Sequence, residues 1–222
     1  MPLIREEDKK FLMQEFEKHL KDDIDLVIFT SESPDCKYCK ETVELAEEVS
    51  EINGKIHLEK YDFDKDRKDA EAFGVEKFPA TIVTKHGEKN GRVKYYGIPS
   101  GYEFGSLIED MKNVSNGEVE VSSKAMEIIN KIDKPVSIKV YVTPTCPYCP
   151  KAVGTAHKFA ILNKNITGEM IESMEFEQEA EEVGVSSVPH IVINGEVQFV
   201  GAYPDDQFAE YVMEAYNNHS KA

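Results

Sequence analysis

The sequence predicts an α/β fold of two like units in tandem, each a mixed four-stranded sheet core flanked by helices. Three observations predict it. Short apolar runs rich in β-branched and aromatic residues alternate with stretches of helical periodicity. The chain repeats itself at an offset of 110 residues, close to half of its 222. Each half carries one Cys-x-x-Cys pair, placed after a strand and at the start of a helix.

In chain order, the first half reads as a helix over 5–21, a strand over 24–30, a helix over 37–52 and a strand over 55–61. A short helix over 65–73, strands over 80–84 and 92–96, and a helix over 102–113 complete it. Val27-Ile28-Phe29 has the composition of a buried strand. The break Ser31-Glu32-Ser33-Pro34-Asp35 ends it, and Val43, Leu45, Ala46, Val49 and Ile52 then mark one face of a helix. The second half repeats the order, with a helix over 122–132, a strand over 136–142, a helix over 147–163 and a strand over 166–171. A helix over 176–183, strands over 190–194 and 197–200, and a helix over 205–218 follow. Val140-Tyr141-Val142 and Thr143-Pro144-Thr145 form the corresponding strand end and break, and Ala152, Val153, Ala156, Phe159 and Ala160 form the helical face. Pro147 and Pro150 suit a first helical turn, whose N–H groups have no partner in the helix.

The repeat maps Cys36 onto Cys146, Asp62 onto Glu172, Gly74-Val75 onto Gly184-Val185 and Pro79 onto Pro189. From the first cysteine of each pair to the proline is 43 residues in both halves. The next glycines, Gly97 and Gly201, are offset by only 104, so the first hairpin carries an insertion at its turn, around Lys85–Gly91. The polar stretch Asn113–Glu118 places the division into units 1–116 and 117–222.

Hydrophobic residues make up 41% of the chain and charged residues 31%, which excludes a disordered or collagen-like polymer. The net charge of −16 argues against nucleic acid or an anionic membrane as the main partner. Residues 1–115 hold 18 basic and 26 acidic side chains and the remainder 8 and 16, so each half contributes −8 and the charge reads as a solvated surface. No apolar run is long enough to span a membrane, and the N-terminus lacks the basic-then-apolar layout of a signal peptide. A cytoplasmic location is the expectation.

Four cysteines are too few to staple a chain of this length. The pairs Cys36-Lys37-Tyr38-Cys39 and Cys146-Pro147-Tyr148-Cys149 admit three readings: zinc ligands, stable disulfides, or redox pairs cycling between dithiol and disulfide. The 106 residues between Cys39 and Cys146 fit one compact zinc site poorly. Stable disulfides are rare in the cytosol. A redox pair belongs at a strand-to-helix junction, and both pairs meet that condition.

A CxxC after a strand, followed by a short acidic helix and then by Gly-Val-x-x-x-Pro opening a hairpin, resembles the thioredoxin/glutaredoxin fold. Cys-Pro-Tyr-Cys matches the glutaredoxin tetrapeptide, and Val188-Pro189-His190-Ile191-Val192-Ile193-Asn194-Gly195 resembles the glutaredoxin hairpin segment. Two such units in one chain are similar to the protein disulfide oxidoreductases of thermophilic archaea and bacteria. A surface rich in Glu and Lys is compatible with a thermophile. The resemblance covers essentially the whole chain. It implies an enzyme that reduces, oxidises or isomerises protein disulfides through Cys36–Cys39 and Cys146–Cys149, with Pro79 and Pro189 in cis facing the cysteines. It implies protein disulfide or dithiol substrates, a thioredoxin-reductase-like flavoprotein as electron source, and a peroxiredoxin as one acceptor. The chain departs from the family in lacking the buried Asp that thioredoxins carry on the strand before the CxxC. It also departs in placing Phe78 before Pro79, and in having Lys37 where the second pair has Pro147.

Thiol–disulfide exchange needs an exposed thiolate and a second thiol to resolve the mixed disulfide. At a helix start the first cysteine is expected at the N-cap, where the macrodipole stabilises its thiolate, with the second about a turn further in. Cys36 and Cys146 are therefore the expected attacking thiols, and Cys39 and Cys149 the resolving ones. Lys37, Lys40 and Lys151 read as solvated lysines with a secondary reading as sources of positive field. Tyr38 and Tyr148 read either as bordering the expected substrate groove or as packing on the helix. Phe78 and Val188, the residues before the prolines, are expected to offer backbone groups to an extended substrate. Asp62 and Glu172 read as caps of the following helix, with proton relay as the second reading. Gly74 and Gly184 read as helix ends, and His190 as a packing residue. No phosphate loop or Rossmann fingerprint is visible, and the six histidines lack metal-ligand spacing, so neither a bound cofactor nor a metal is expected. Three other readings stay open: a glutathione-linked glutaredoxin, an electron carrier to a peroxiredoxin, and a disulfide- or zinc-stabilised binding or chaperone module without turnover.

Overall fold

A computed structural model describes residues 3–219. Its elements run α1 (Glu6–His19), β1 (Ile24–Thr30), α2 (Cys39–Ser50), β2 (Ile56–Asp62), α3 (Arg67–Phe73), β3 (Ala80–Lys85), β4 (Val93–Tyr96) and α4 (Tyr102–Asn116). The order then repeats as α5 (Ser123–Ile129), β5 (Val136–Val142), α6 (Cys149–Leu162), β6 (Ile166–Glu172), α7 (Glu177–Val183), β7 (His190–Ile193), β8 (Val197–Val200) and α8 (Asp205–His219). Every element expected from the sequence is present. The polar stretch read as the end of the first unit is helical through Asn116, because Val114 and Ser115 are buried, and Gly117 at φ 68° closes α4.

In each unit the strand leading to the cysteines is central. β1 pairs in parallel with β2 and antiparallel with β3, which pairs antiparallel with β4. β5 stands in the same relation to β6 and β7, and β7 pairs with β8. Six of the seven β1 residues are buried, as expected of a strand covered on both faces. The two sheets are joined edge to edge. β4 pairs in parallel with β6, from Val93 opposite Gly168 to Tyr96 opposite Ile171, which makes one eight-stranded sheet in the order β2-β1-β3-β4-β6-β5-β7-β8. Lys94 Nζ lies 3.3 Å from a Glu169 carboxylate oxygen at this joint, with both side chains almost fully buried.

A second joint is made by helices. α4 of the first unit packs on α6 of the second, and the two start together: Tyr102 N–H donates to Pro144 O at 3.1 Å, five residues before α6 opens. Further along, the fully buried His157 places Nδ1 2.5 Å from Asp110 Oδ2, and the Tyr95 hydroxyl donates to the same oxygen. The Tyr95 and His157 rings meet edge to face at 4.9 Å. A main apolar core runs through both units, from Phe16, Leu26 and Val49 to Phe159, Ile193 and Phe208. None of the helices among the described residues is long and apolar enough to cross a membrane.

Candidate active sites

Both cysteine pairs are disulfides, Cys36–Cys39 and Cys146–Cys149, each at the junction of a central strand and a long helix. The helices begin later than the sequence implies. Tyr38 and Tyr148 are the N-cap residues, and the second cysteine of each pair is the first helical residue. A turn precedes each helix: Cys36 N–H donates to Ser33 O and Cys146 N–H to Thr143 O, both at 3.1 Å. That turn holds the first cysteine outside the helix, in front of its unpaired N–H groups. Pro147 accordingly precedes α6, and Pro150 is its second residue.

At the second pair, Cys149 N–H points to Cys146 Sγ at 3.1 Å. A backbone donor at the positive end of a helix favours a thiolate on that sulfur. Cys146 Sγ lies 3.8 Å from the carbonyl oxygen of Val188, so the loop before Pro189 abuts the first cysteine. Cys146 is 7% exposed and Cys149 is fully buried, whereas Cys36 is half-buried and Cys39 buried. The first cysteine of the second pair is thus less exposed than expected, because the Val188 carbonyl covers it. At the first pair Ser31 N–H lies 3.4 Å from Cys39 Sγ, and Ser31 Oγ donates to Asp64. The peptides Phe78–Pro79 and Val188–Pro189 are cis. Gly97 N–H donates to Pro79 O and Gly201 N–H to Pro189 O, both at 2.9 Å. Tyr38 and Tyr148 project to solvent, Tyr148 at 71% exposure. A cleft of about 1010 Å³ runs between α4 and α6 from Pro147 past Gly105 and Gly154 to Lys158.

The remaining sequence candidates take more local positions. Asp62 accepts the N–H groups of Asp64 and Lys65, and Glu172 those of Met174 and Glu175, so each closes the turn after its strand rather than capping the helix, whose N-cap residues are Asp66 and Phe176. Gly74 and Gly184 end α3 and α7 in the left-handed conformation. His190 is buried, with Nε2 at 3.0 Å from Gln198. Lys40 pairs with Glu44 on the surface, and Lys151 lines the α4–α6 cleft. Lys37 is not a free lysine: its Nζ donates to Met174 O at 2.9 Å and lies 3.3 Å from Glu177 of the second unit.

Sequence reasoning misses two buried carboxyls at the joint between the units. Glu103, 1% exposed in the first turn of α4, accepts from Ser106 Oγ and has no partner for Oε1. Burial pushes its pKa up to about 7. Glu175 accepts the N–H of Ile98 at 2.6 Å, and its other oxygen is buried without a partner. Burial, with Glu172 adding to it, pushes Glu175 up to about 7 as well. Both groups bind a proton more tightly folded than unfolded. As pH rises from about 4.5 the unfolded chain loses these protons first, so folding stability falls until the folded values near 7 are passed. Glu103→Gln and Glu175→Gln are each expected to flatten that decline, measured as the denaturant midpoint between pH 4.5 and 8.

The fold and the two junction-held cysteine pairs define a thioredoxin-fold protein with two CxxC centres. Models of the thioredoxin family match residues 8–109 ("Thioredoxin") and 136–214 ("Thioredoxin domain"). The chain is similar to a protein disulfide oxidoreductase from Aeropyrum pernix K1, with 31% identity and a TM-score of 0.87 over 96% of this chain and 94% of that one. The chain belongs to the family of protein disulfide oxidoreductases of tandem thioredoxin fold. It is also similar to the NTD_N/C domain of alkylhydroperoxide reductase AhpF from Enterococcus faecalis, at 25% identity and a TM-score of 0.86, covering 94% of this chain and 99% of that one. A protein called NADH dehydrogenase from Bacillus subtilis is 30% identical over 157 residues, or 71% of this chain. The chain spans 28% of the length of that protein, and likewise of the matched alkyl hydroperoxide reductase proteins of Staphylococcus aureus.

Proposed function

We propose that residues 1–116 and 117–222 are two dithiol–disulfide exchange units, and that the second is the principal site for protein substrates. The observation that carries this reading is the Cys149 N–H on Cys146 Sγ beside the Val188 carbonyl, which joins a stabilised thiolate to a backbone edge able to hold an extended peptide. In the reducing direction the Cys146 thiolate attacks one sulfur of a substrate disulfide. A Cys146–substrate bond forms, the substrate S–S bond breaks, and its other sulfur leaves as a thiolate. Cys149, once deprotonated, attacks Cys146 Sγ, closes the Cys146–Cys149 disulfide and releases the second substrate thiolate. The enzyme dithiol has lost two electrons and the substrate has gained them. Oxidation of a substrate dithiol is the same sequence reversed. Cys36 and Cys39 take the corresponding roles in the first unit, and Pro79 with Phe78 and Pro189 with Val188 form the substrate-binding edges. Tyr38 and Tyr148 form exposed aromatic rims.

Glu103 supplies the proton acceptor that the strand before the second pair lacks. Because α4 and α6 start together at Pro144, we infer that Glu103, in the first turn of α4, lies level with the first turn of α6, which opens with Cys149. Ionised above about pH 7, it accepts the Cys149 proton during resolution. Glu103→Gln is expected to remove the rise in resolution rate through pH 7, read by rapid-mixing decay of a preformed Cys146 adduct.

The cofactors of this reading are the two redox-active disulfides themselves. Its partners are protein disulfides or dithiols and a thioredoxin-reductase-like flavoprotein that returns electrons, with the cytoplasm as the location. The likeness to the alkylhydroperoxide reductase AhpF domain favours a second role, delivery of electrons to a peroxiredoxin. The test is covalent trapping. A Cys149→Ser chain mixed with an oxidised protein substrate is expected to accumulate a dithiothreitol-sensitive adduct through Cys146. An adduct forming equally well in Cys146→Ser/Cys149→Ser would contradict the assignment of the second site.

A further inference from the structure

Gly97 and Gly201 occupy equivalent places in the two units, each hydrogen-bonded to the carbonyl of its unit's cis proline. Their surroundings differ. Above Gly201 a Cβ atom would meet nothing within 4 Å, so the space beside Pro189 is open. Above Gly97 a Cβ atom would fall 2.7 Å from Glu172 Cβ and 2.7 Å from Glu175 Oε1, so the space beside Pro79 is filled by the second unit. Glu175 is fixed there by the N–H of Ile98, the residue after Gly97. The segment that carries it is held at the first cysteine pair by Lys37, through Met174 O and Glu177. On the far side, Lys77 of the loop before Pro79 pairs with Glu179, and its Nζ lies 5.1 Å from the centre of the Phe176 ring. Residues 172–179 therefore border the first groove along both its glycine and its proline loops.

We propose that this segment of the second unit, through the Glu175 side chain over Gly97, is a built-in occupant of the first substrate groove that makes Cys36–Cys39 selective for small disulfides over polypeptides. An extended chain pairing with the Phe78 backbone has to pass the glycine beside Pro79, and at the first site that path is closed. Cys36 itself remains half-exposed, more so than Cys146, so a small disulfide that needs only the sulfur reaches it. Steric exclusion of this kind separates substrates by size while leaving the exchange chemistry intact. The chemistry is balanced as at the second site. The Cys36–Cys39 dithiol gives two electrons to the small disulfide, which leaves as two thiols, and the pair closes to its own disulfide.

The inference rests on the proposal that Cys36–Cys39 exchanges at all, and the experiment separates the two. The 222-residue chain with Cys146→Ser and Cys149→Ser is reduced with dithiothreitol, freed of it, and oxidised with either hydroxyethyl disulfide or insulin. Hydroxyethyl disulfide is expected to oxidise the pair readily and insulin slowly. Glu175→Ala is expected to raise the insulin rate by about tenfold, the scale on which a few displaced groups discriminate substrates, with the hydroxyethyl disulfide rate unchanged. Glu175→Gln keeps both the bulk and the acceptor for Ile98 N–H, and is expected to behave as the parent. Should Glu175→Ala not fold, Glu175→Asp, which draws the carboxylate back by one methylene, is expected to give an intermediate insulin rate. An insulin rate unmoved by the folded variants, or the two rates rising together, overturns the occupied groove. Failure of the parent to react with hydroxyethyl disulfide overturns exchange at the first pair and this inference with it.

Discussion

Cys146→Ser is expected to lower insulin reduction by about 100-fold or more, whereas Cys36→Ser leaves most of it in place. Loss of a nucleophile removes a covalent step that no neighbouring group replaces, and penalties of several orders of magnitude are usual for such changes. The asymmetry comes from the two grooves. Beside Pro189 the space over Gly201 is open and Cys146 Sγ accepts a backbone N–H, while the space over Gly97 beside Pro79 is filled. Cys149→Ser is expected to lose turnover to the same degree while still forming a mixed disulfide. Equal activity of the two first-cysteine variants would show that neither groove dominates.

Asp110→Ala is expected to destabilise the chain by about 2–6 kcal/mol, since it takes the acceptor from two buried groups at about 1–3 kcal/mol apiece. Asp110, 1% exposed, is the shared acceptor of the Tyr95 hydroxyl and of His157 Nδ1. The other ring nitrogen of His157 already has no partner, so the substitution leaves a fully buried imidazole with none and a buried phenol with its bond lost. The three side chains come from β4, α4 and α6, so the loss falls on the joint between units. Urea unfolding measures it. Replacement of Asp110 by Asn, which retains an acceptor oxygen, is expected to cost less. A change below about 1 kcal/mol for Asp110→Ala, the worth of one ordinary hydrogen bond, would mean the network contributes little.

The repeat makes the order of elements legible, because each unit folds by local rules: a central β-branched strand, a turn, a helix with one apolar face. The joint between the units is not legible in the same way. Strand pairing of β4 with β6 is made by backbone groups that every residue carries, and no side-chain period announces which edge is taken. The pairing leaves one trace. Lys94 and Glu169 lie in strands and are buried as a pair at the joint, while the repeat mate of Lys94 is Gln198, on a strand whose outer residues are exposed. Periodicity places the starts of α2 and α6 two residues early, because the turn closed by Cys36 and Cys146 N–H resembles a first helical turn in spacing. The cysteines and prolines stand out by their 43-residue separation. Glu103 and Asp110 escape notice although they share the buried face of α4 with Leu107, Met111 and Val114. A carboxylate within an apolar helical stripe is the signal that marks them. Glu175 has no such signal, since it lies in a turn and its carboxylate meets Ile98 N–H and Gly97 of the other unit.

The most direct test of two-site exchange is a redox titration of the intact two-unit chain against dithiothreitol buffers, with the free thiols at each pair counted by alkylation and mass spectrometry. Both pairs are expected to pass reversibly from disulfide to dithiol in two-electron steps, about 30 mV for each tenfold change, each with its own midpoint. Either pair staying oxidised, or reducing only when the chain unfolds, would identify it as a structural disulfide and contradict exchange at that site.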